Sequence, residues 1–130
     1  MKFGYTIIYV PDVSASLEFF TRAFGIERRF LHESGMYGEL ETGETTLAFA
    51  AHAMGEINYP AGHVEAHSSG KPLGIEIALV TPDVSAAHKR AVSVGAIELA
   101  APSEKPWGQT VSYVRCPDGS LVELCSPMSA

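Results

Sequence analysis

Two hydrophobic rhythms alternate along the chain, and the whole sequence of rhythms is written twice. Tyr5, Ile7 and Tyr9 share one face of an apolar stretch rich in β-branched and aromatic residues, which predicts a strand. Behind Pro11-Asp12 the period lengthens: Val13, Leu17, Phe20 and Phe24 form one apolar stripe of a helix. The Asp12 carboxylate suits the N-cap, where it can accept the free N–H groups of the first turn. Gly25 stands where a left-handed residue closes a helix. The period then returns to two, so residues 26–32, 36–41 and 45–51 read as strands, with Ser34-Gly35 and Thr42-Gly43-Glu44 as turns.

The second half repeats this plan. An apolar strand from Glu76 to Val80 leads into Pro82-Asp83, and Val84, Ala87, Ala91 and Val94 make a thinner helical stripe that ends at Gly95. Residues 97–100, 109–115 and 121–126 read as strands, with Pro117-Asp118-Gly119 as a turn. Pro11-Asp12-Val13-Ser14-Ala15 recurs residue for residue as Pro82-Asp83-Val84-Ser85-Ala86, an offset of 71, and the flanking patterns match. That agreement on both sides of the motif identifies a duplication. The expected fold class is α+β: one domain over 1–130, made of two tandem βαβββ modules (about 1–51 and 72–126). The segment from about 52 to 71 is rich in Gly, Pro and Ser without a period, and is expected to be a connecting loop.

Composition narrows the function classes. With 46% hydrophobic and 18% charged residues, the 130-residue chain has the balance of a globular protein with a real core. Its net charge of −6 and scattered basic residues give no footprint for a phosphate backbone, so nucleic acid is not an expected partner. The apolar runs are strand-sized, which predicts no membrane span, and the first residues show no apolar export segment. Cys116 and Cys125 form no CxxC pair, and the chain is expected to be cytoplasmic with reduced thiols.

The two βαβββ units, with Val-Pro-Asp-Val entering the first helix and Pro-Asp-Gly-Ser-Leu-Val-Glu-Leu closing the second half, resemble the vicinal oxygen chelate superfamily. Lys105-Pro106-Trp107-Gly108-Gln109, followed by Pro117-Asp118-Gly119, is similar to its glyoxalase and bleomycin-resistance branch. The resemblance implies a curled mixed sheet around a cleft, a small organic ligand and a homodimer. It also implies four metal-ligand positions, in the first and last strand of each half. These map to Tyr5, Glu76 and Glu123, with the fourth falling on Leu47 or Ala48, neither of which can bind a metal. Two carboxylates fall short of the three or four protein ligands usual for a catalytic transition metal. The expectation is therefore a metal-independent small-molecule-binding protein with no cofactor. The alternative is a lyase, isomerase or dioxygenase in which Glu76 and Glu123 hold a divalent ion; a metal-free enzyme using one carboxylate as general base is a third reading.

Five residues stand out as ligand contacts. Glu76 and Glu123 each interrupt an apolar strand, where a carboxylate is costly without a partner. Tyr5 and Tyr9 offer rings with polar tips, and Trp107 sits in a Pro/Gly loop where a core role explains it poorly. All but Tyr9 are expected to converge on one cavity. His63 and His67 have the i, i+4 spacing of a metal pair but stand in the aperiodic connection, which removes the geometric meaning of the spacing. His32, His52 and His88 read as ordinary surface or strand-edge residues, and Cys116 as an unreactive turn residue.

Overall fold

The computed structural model describes residues 1–128. The first module runs β1 (Tyr5–Val10), α1 (Val13–Phe24), β2 (Arg28–Leu31), β3 (Tyr37–Leu40) and β4 (Thr46–Ala51). The second runs β5 (Glu76–Val80), α3 (Val84–Ser93), β6 (Ile97–Glu104), β7 (Thr110–Arg115) and β8 (Leu121–Cys125). Between them lie α2 (His52–Asn58) and a single 3-10 turn at Ala66–Ser68. Each module forms a four-stranded mixed sheet, ordered β1-β4-β3-β2 and β5-β8-β7-β6, whose first strand runs parallel to its last. The two sheets are separate, because no ladder joins β1 to β5 among the described residues.

The repeated Pro-Asp motif does what its chemistry allows. Asp12 and Asp83 accept the backbone N–H of Ala15 and Ala86, each at 3.0 Å, and so cap α1 and α3. Gly25 closes α1 with φ of 71° and donates its N–H to the Thr21 carbonyl. Val13, Leu17 and Phe20 pack on Val10, Leu40 and Phe49 of the first sheet, while Val84 and Ala91 meet Val114, Val122 and Leu124 of the second. The helices also pack against each other, and Arg90 of α3 donates to the carbonyls of Arg22 and Thr21 at the end of α1. Both helices thus cover one side of the sheets and leave the other side open.

Three sequence expectations need correction. The connection contains α2 and the 3-10 turn. β6 continues to Glu104, past the predicted end at residue 100, because Pro102 lies on the edge strand, where a missing N–H costs no ladder bond. His88 is no surface residue: it is buried in the stripe of α3 at 4% exposure, with Nδ1 2.9 Å from Ser112 Oγ and Nε2 2.7 Å from Glu98 Oε2. This Ser-His-Glu alignment satisfies buried polar groups between helix and sheet.

Candidate functional site

Strand register gathers one group of candidates on the open side of the second sheet. Glu123 of β8 pairs with Ala78 of β5 and with Tyr113 of β7, and Glu76 lies two residues from Ala78, so all four share a face. Tyr113 donates its hydroxyl to Glu123 Oε1 at 2.8 Å, and Glu123 with partial burial pushes the phenol up to about 12. Lost hydration, then the adjacent Glu123, hold the Glu76 carboxyl above its ordinary range.

Register also settles the fourth metal position. Ile7 pairs with Ala48 as Ala78 pairs with Glu123, and the 71-residue offset relates Ile7 to Ala78. Ala48 is therefore the counterpart of Glu123, and it is fully buried with no donor atom. In the first module the carboxylate sits one strand over: Glu39, paired to Ala48, accepts from the Tyr37 hydroxyl at 2.7 Å and lies 3.5 Å from the Arg29 guanidinium. The four strand positions thus offer a phenol, a methyl group and two carboxylates, one of them tied to Tyr113. That set does not fit a catalytic metal ion.

A second group lines a cavity of about 310 Å³ between β1, β5 and the connection. Ile7, Ile75, Ile77, Leu73 and Leu121 make its walls largely apolar, and Tyr9, Tyr59, His63 and Ser120 bring polar atoms. Ser120 is buried, and its hydroxyl has no hydrogen-bond partner. Of the five predicted contacts, Tyr9 lines this cavity. Tyr5 is exposed on β1, and Glu76 and Glu123 face the open side together. Trp107 stands apart in the β6–β7 loop, 59% exposed, with Nε1 donating to Gln109 Oε1 at 2.8 Å.

The connection supplies what the sequence reading missed. His63 stacks on Tyr9 with ring centres 4.6 Å apart, shares a hydrogen bond between Nδ1 and the Tyr59 hydroxyl at 2.7 Å, and meets His52 Nδ1 through Nε2 at 2.8 Å. His52 is the first residue of α2 and half-buried, and desolvation lowers its basicity. It is neither a surface nor a strand-edge residue, and His63 does not pair with His67 as the i, i+4 spacing suggested. Gly55 permits this packing, since a side chain there would strike the Tyr59 hydroxyl and the His63 ring. The 3-10 turn is fixed by Arg115, whose Nη2 donates to the carbonyls of Ala66 at 2.8 Å and Ser69 at 2.9 Å. A tyrosine on a predicted strand followed by a Tyr-x-x-x-His run was the available signal.

The fold is shared with solved structures. A family enzyme from Burkholderia phytofirmans PsJN, described as glyoxalase/bleomycin resistance protein/dioxygenase, superposes with a TM-score of 0.80 at 20% identity, covering 97% of this chain and 98% of its own. A glyoxalase-related enzyme from Fulvimarina pelagi gives a TM-score of 0.82 at 19% identity, with 98% of this chain and 88% of its own covered. A member of the same superfamily from Sphaerobacter thermophilus DSM 20745 gives 0.73 at 24% identity, with 98% of each chain covered. At such identities the likeness is one of fold. No curated protein matches. No helix among the described residues is long and apolar enough to cross a membrane. The family model for the glyoxalase-like domain matches residues 3–129, and the chain belongs to that family, within the vicinal oxygen chelate superfamily.

Proposed function

We propose that the chain binds a small, mainly apolar organic molecule in the cavity between its two modules, without using a metal at the four strand positions. The observation that carries this reading is the largely apolar cavity of about 310 Å³ between β1, β5 and the connection, walled by Ile7, Leu73, Ile75, Ile77 and Leu121. Such walls favour a ligand with an apolar body, whose transfer out of water is stabilising. The volume lies at the small end of the roughly 300–1,000 Å³ typical of ligand sites. Tyr9, Tyr59 and His63 add an aromatic wall suited to a planar ligand. The homodimer implied by the resemblance belongs to this reading, and light scattering at micromolar concentration checks it. A thermal-shift screen of small aromatics and glutathione adducts tests the binding itself, since a ligand that favours the folded state raises the melting temperature. A hit whose effect persists after filling of the cavity would overturn the assignment.

One observation favours a second reading. A carboxyl held above its ordinary range beside a carboxylate that accepts a phenol hydrogen bond is an arrangement suited to proton transfer. In that case Glu76 and Glu123 act as acid and base on a substrate lying on the open face. Ligand binding lost in Glu123→Gln, but kept when the cavity is filled, would select this reading.

A further inference from the structure

We propose that His52, Glu65 and His67 form a binding site for a divalent transition ion of the zinc class, on the connection between the modules and apart from the strand positions. One donor atom from each residue lies within 4.8 Å of the others. Glu65 bridges the imidazoles: Oε2 is 3.9 Å from His52 Nδ1 and Oε1 is 3.9 Å from His67 Nδ1. Those distances are too long for hydrogen bonds. Donors around a tetrahedral ion with bonds of about 2.0–2.1 Å lie about 3.4 Å apart, so the Glu65–His67 pair needs to close by about half an ångström and the set of three, all within 4.8 Å, by no more than about 1.4 Å. Two imidazoles and a carboxylate match the borderline preference of zinc and its neighbours, and three protein ligands leave one position for water or a ligand.

Two further features show a prepared site. The Tyr59–His63–His52 relay occupies His52 Nδ1, the outer contact that orients metal-binding histidines, and leaves the buried Nε2 without a partner as the nitrogen that would hold the ion. The turn bearing His67 is held by Arg115 and lies against Gly119, so the donors sit on fixed backbone. His63 and Ala66, which line the cavity, interleave with Glu65 and His67 in sequence. A bound ion would therefore pin the connection that walls the cavity.

The test is a Co²⁺ titration of the full chain carrying no polyhistidine tag. The expected result is one equivalent bound, with the visible bands of a four-coordinate site, and displacement by Zn²⁺. His67 is partly exposed, so His67→Ala should fold normally; it should lose the bands and weaken Zn²⁺ binding by at least about tenfold. The double variant Glu76→Gln, Glu123→Gln should retain them. Absence of bands at millimolar Co²⁺, bands unchanged in His67→Ala, or bands lost in the double variant would each overturn the site. The readout needs no organic ligand, so its failure is separate from any failure of cavity binding.

Discussion

Ser16 Oγ donates to Asp118 Oδ2 across 2.7 Å, a buried contact joining the first helix to the last turn of the other module. The same carboxylate accepts the Ser120 N–H at 3.0 Å, so it organises the turn whose Gly119 and Ser120 line the cavity. Asp118→Ala leaves the Ser16 hydroxyl buried and unpaired, and should cost about 1–3 kcal/mol in chemical denaturation. With Ser16→Ala, a double-mutant cycle should show coupling of about 0.5–3 kcal/mol. Additive losses would mean that the two modules are not joined through this bond.

Gly119 has φ of 91°, and a Cβ there would run into the backbone of Ala66 and His67. Gly35 has φ of 74° with open space around it, and so isolates the conformational cost. Gly35→Ala should destabilise by about 1 kcal/mol, and Gly119→Ala by clearly more, because the connection must also move. Equal shifts in melting temperature would remove the steric part of the argument.

Elements with local signals were legible in the sequence. β1 and β5 begin and end where alternation predicts, and the Asp caps define the starts of α1 and α3. α2 carries no such signal: no side chain caps it, no acid sits in its first turn, and Gly55 lies inside its seven residues. Its contacts with β4 and β1 hold it in place, and those are tertiary. His88 was passed over because a polar residue at a stripe position reads as surface until Ser112 and Glu98 are seen to satisfy it. Glu76 and Glu123 could be paired because strand alternation and duplication are both visible in sequence. Grouping His52 with Glu65 and His67 depends on how the chain turns between them, which no periodicity records.

The Glu76 carboxyl titrates above its ordinary value of 4.5 in the folded chain, through lost hydration and the nearby Glu123. The folded state therefore holds this proton more tightly than the unfolded state. The resulting stabilisation is full below about pH 4.5 and is lost as pH rises through the folded value. Glu76→Gln should remove that dependence, making the variant relatively more stable near neutrality than in acid. Melting temperatures of the two proteins from pH 4 to 8 check this; a constant difference would show that Glu76 is not perturbed.

Tyr113→Phe removes the hydroxyl that Glu123 accepts at 2.8 Å, leaving the two carboxylates with less to hold them. A charge-assisted bond of this kind on an open face should contribute about 1 kcal/mol. The loss should shrink to about half when Glu123→Gln is already present, because the amide oxygen still accepts the bond but the charge that strengthened it is gone. Urea midpoints for the four proteins of that cycle decide it.

The cavity and the Trp107 loop can be separated by substitution. Ile7 and Ile75 line the cavity yet are 42% and 76% exposed, so larger side chains there should be tolerated by the core. Ile7→Trp or Ile75→Trp should fill part of the 310 Å³ and abolish binding of any ligand found by thermal shift. Trp107 lines no part of that space, and its indole N–H is already engaged by Gln109. Trp107→Ala should therefore leave ligand affinity unchanged and alter stability by no more than about 0.5 kcal/mol, as for a surface residue. An aromatic anchor in the site would instead cost about 1–3 kcal/mol of binding on truncation. Binding that survives both tryptophan insertions but disappears in Trp107→Ala would move the ligand from the cavity to the β6–β7 loop.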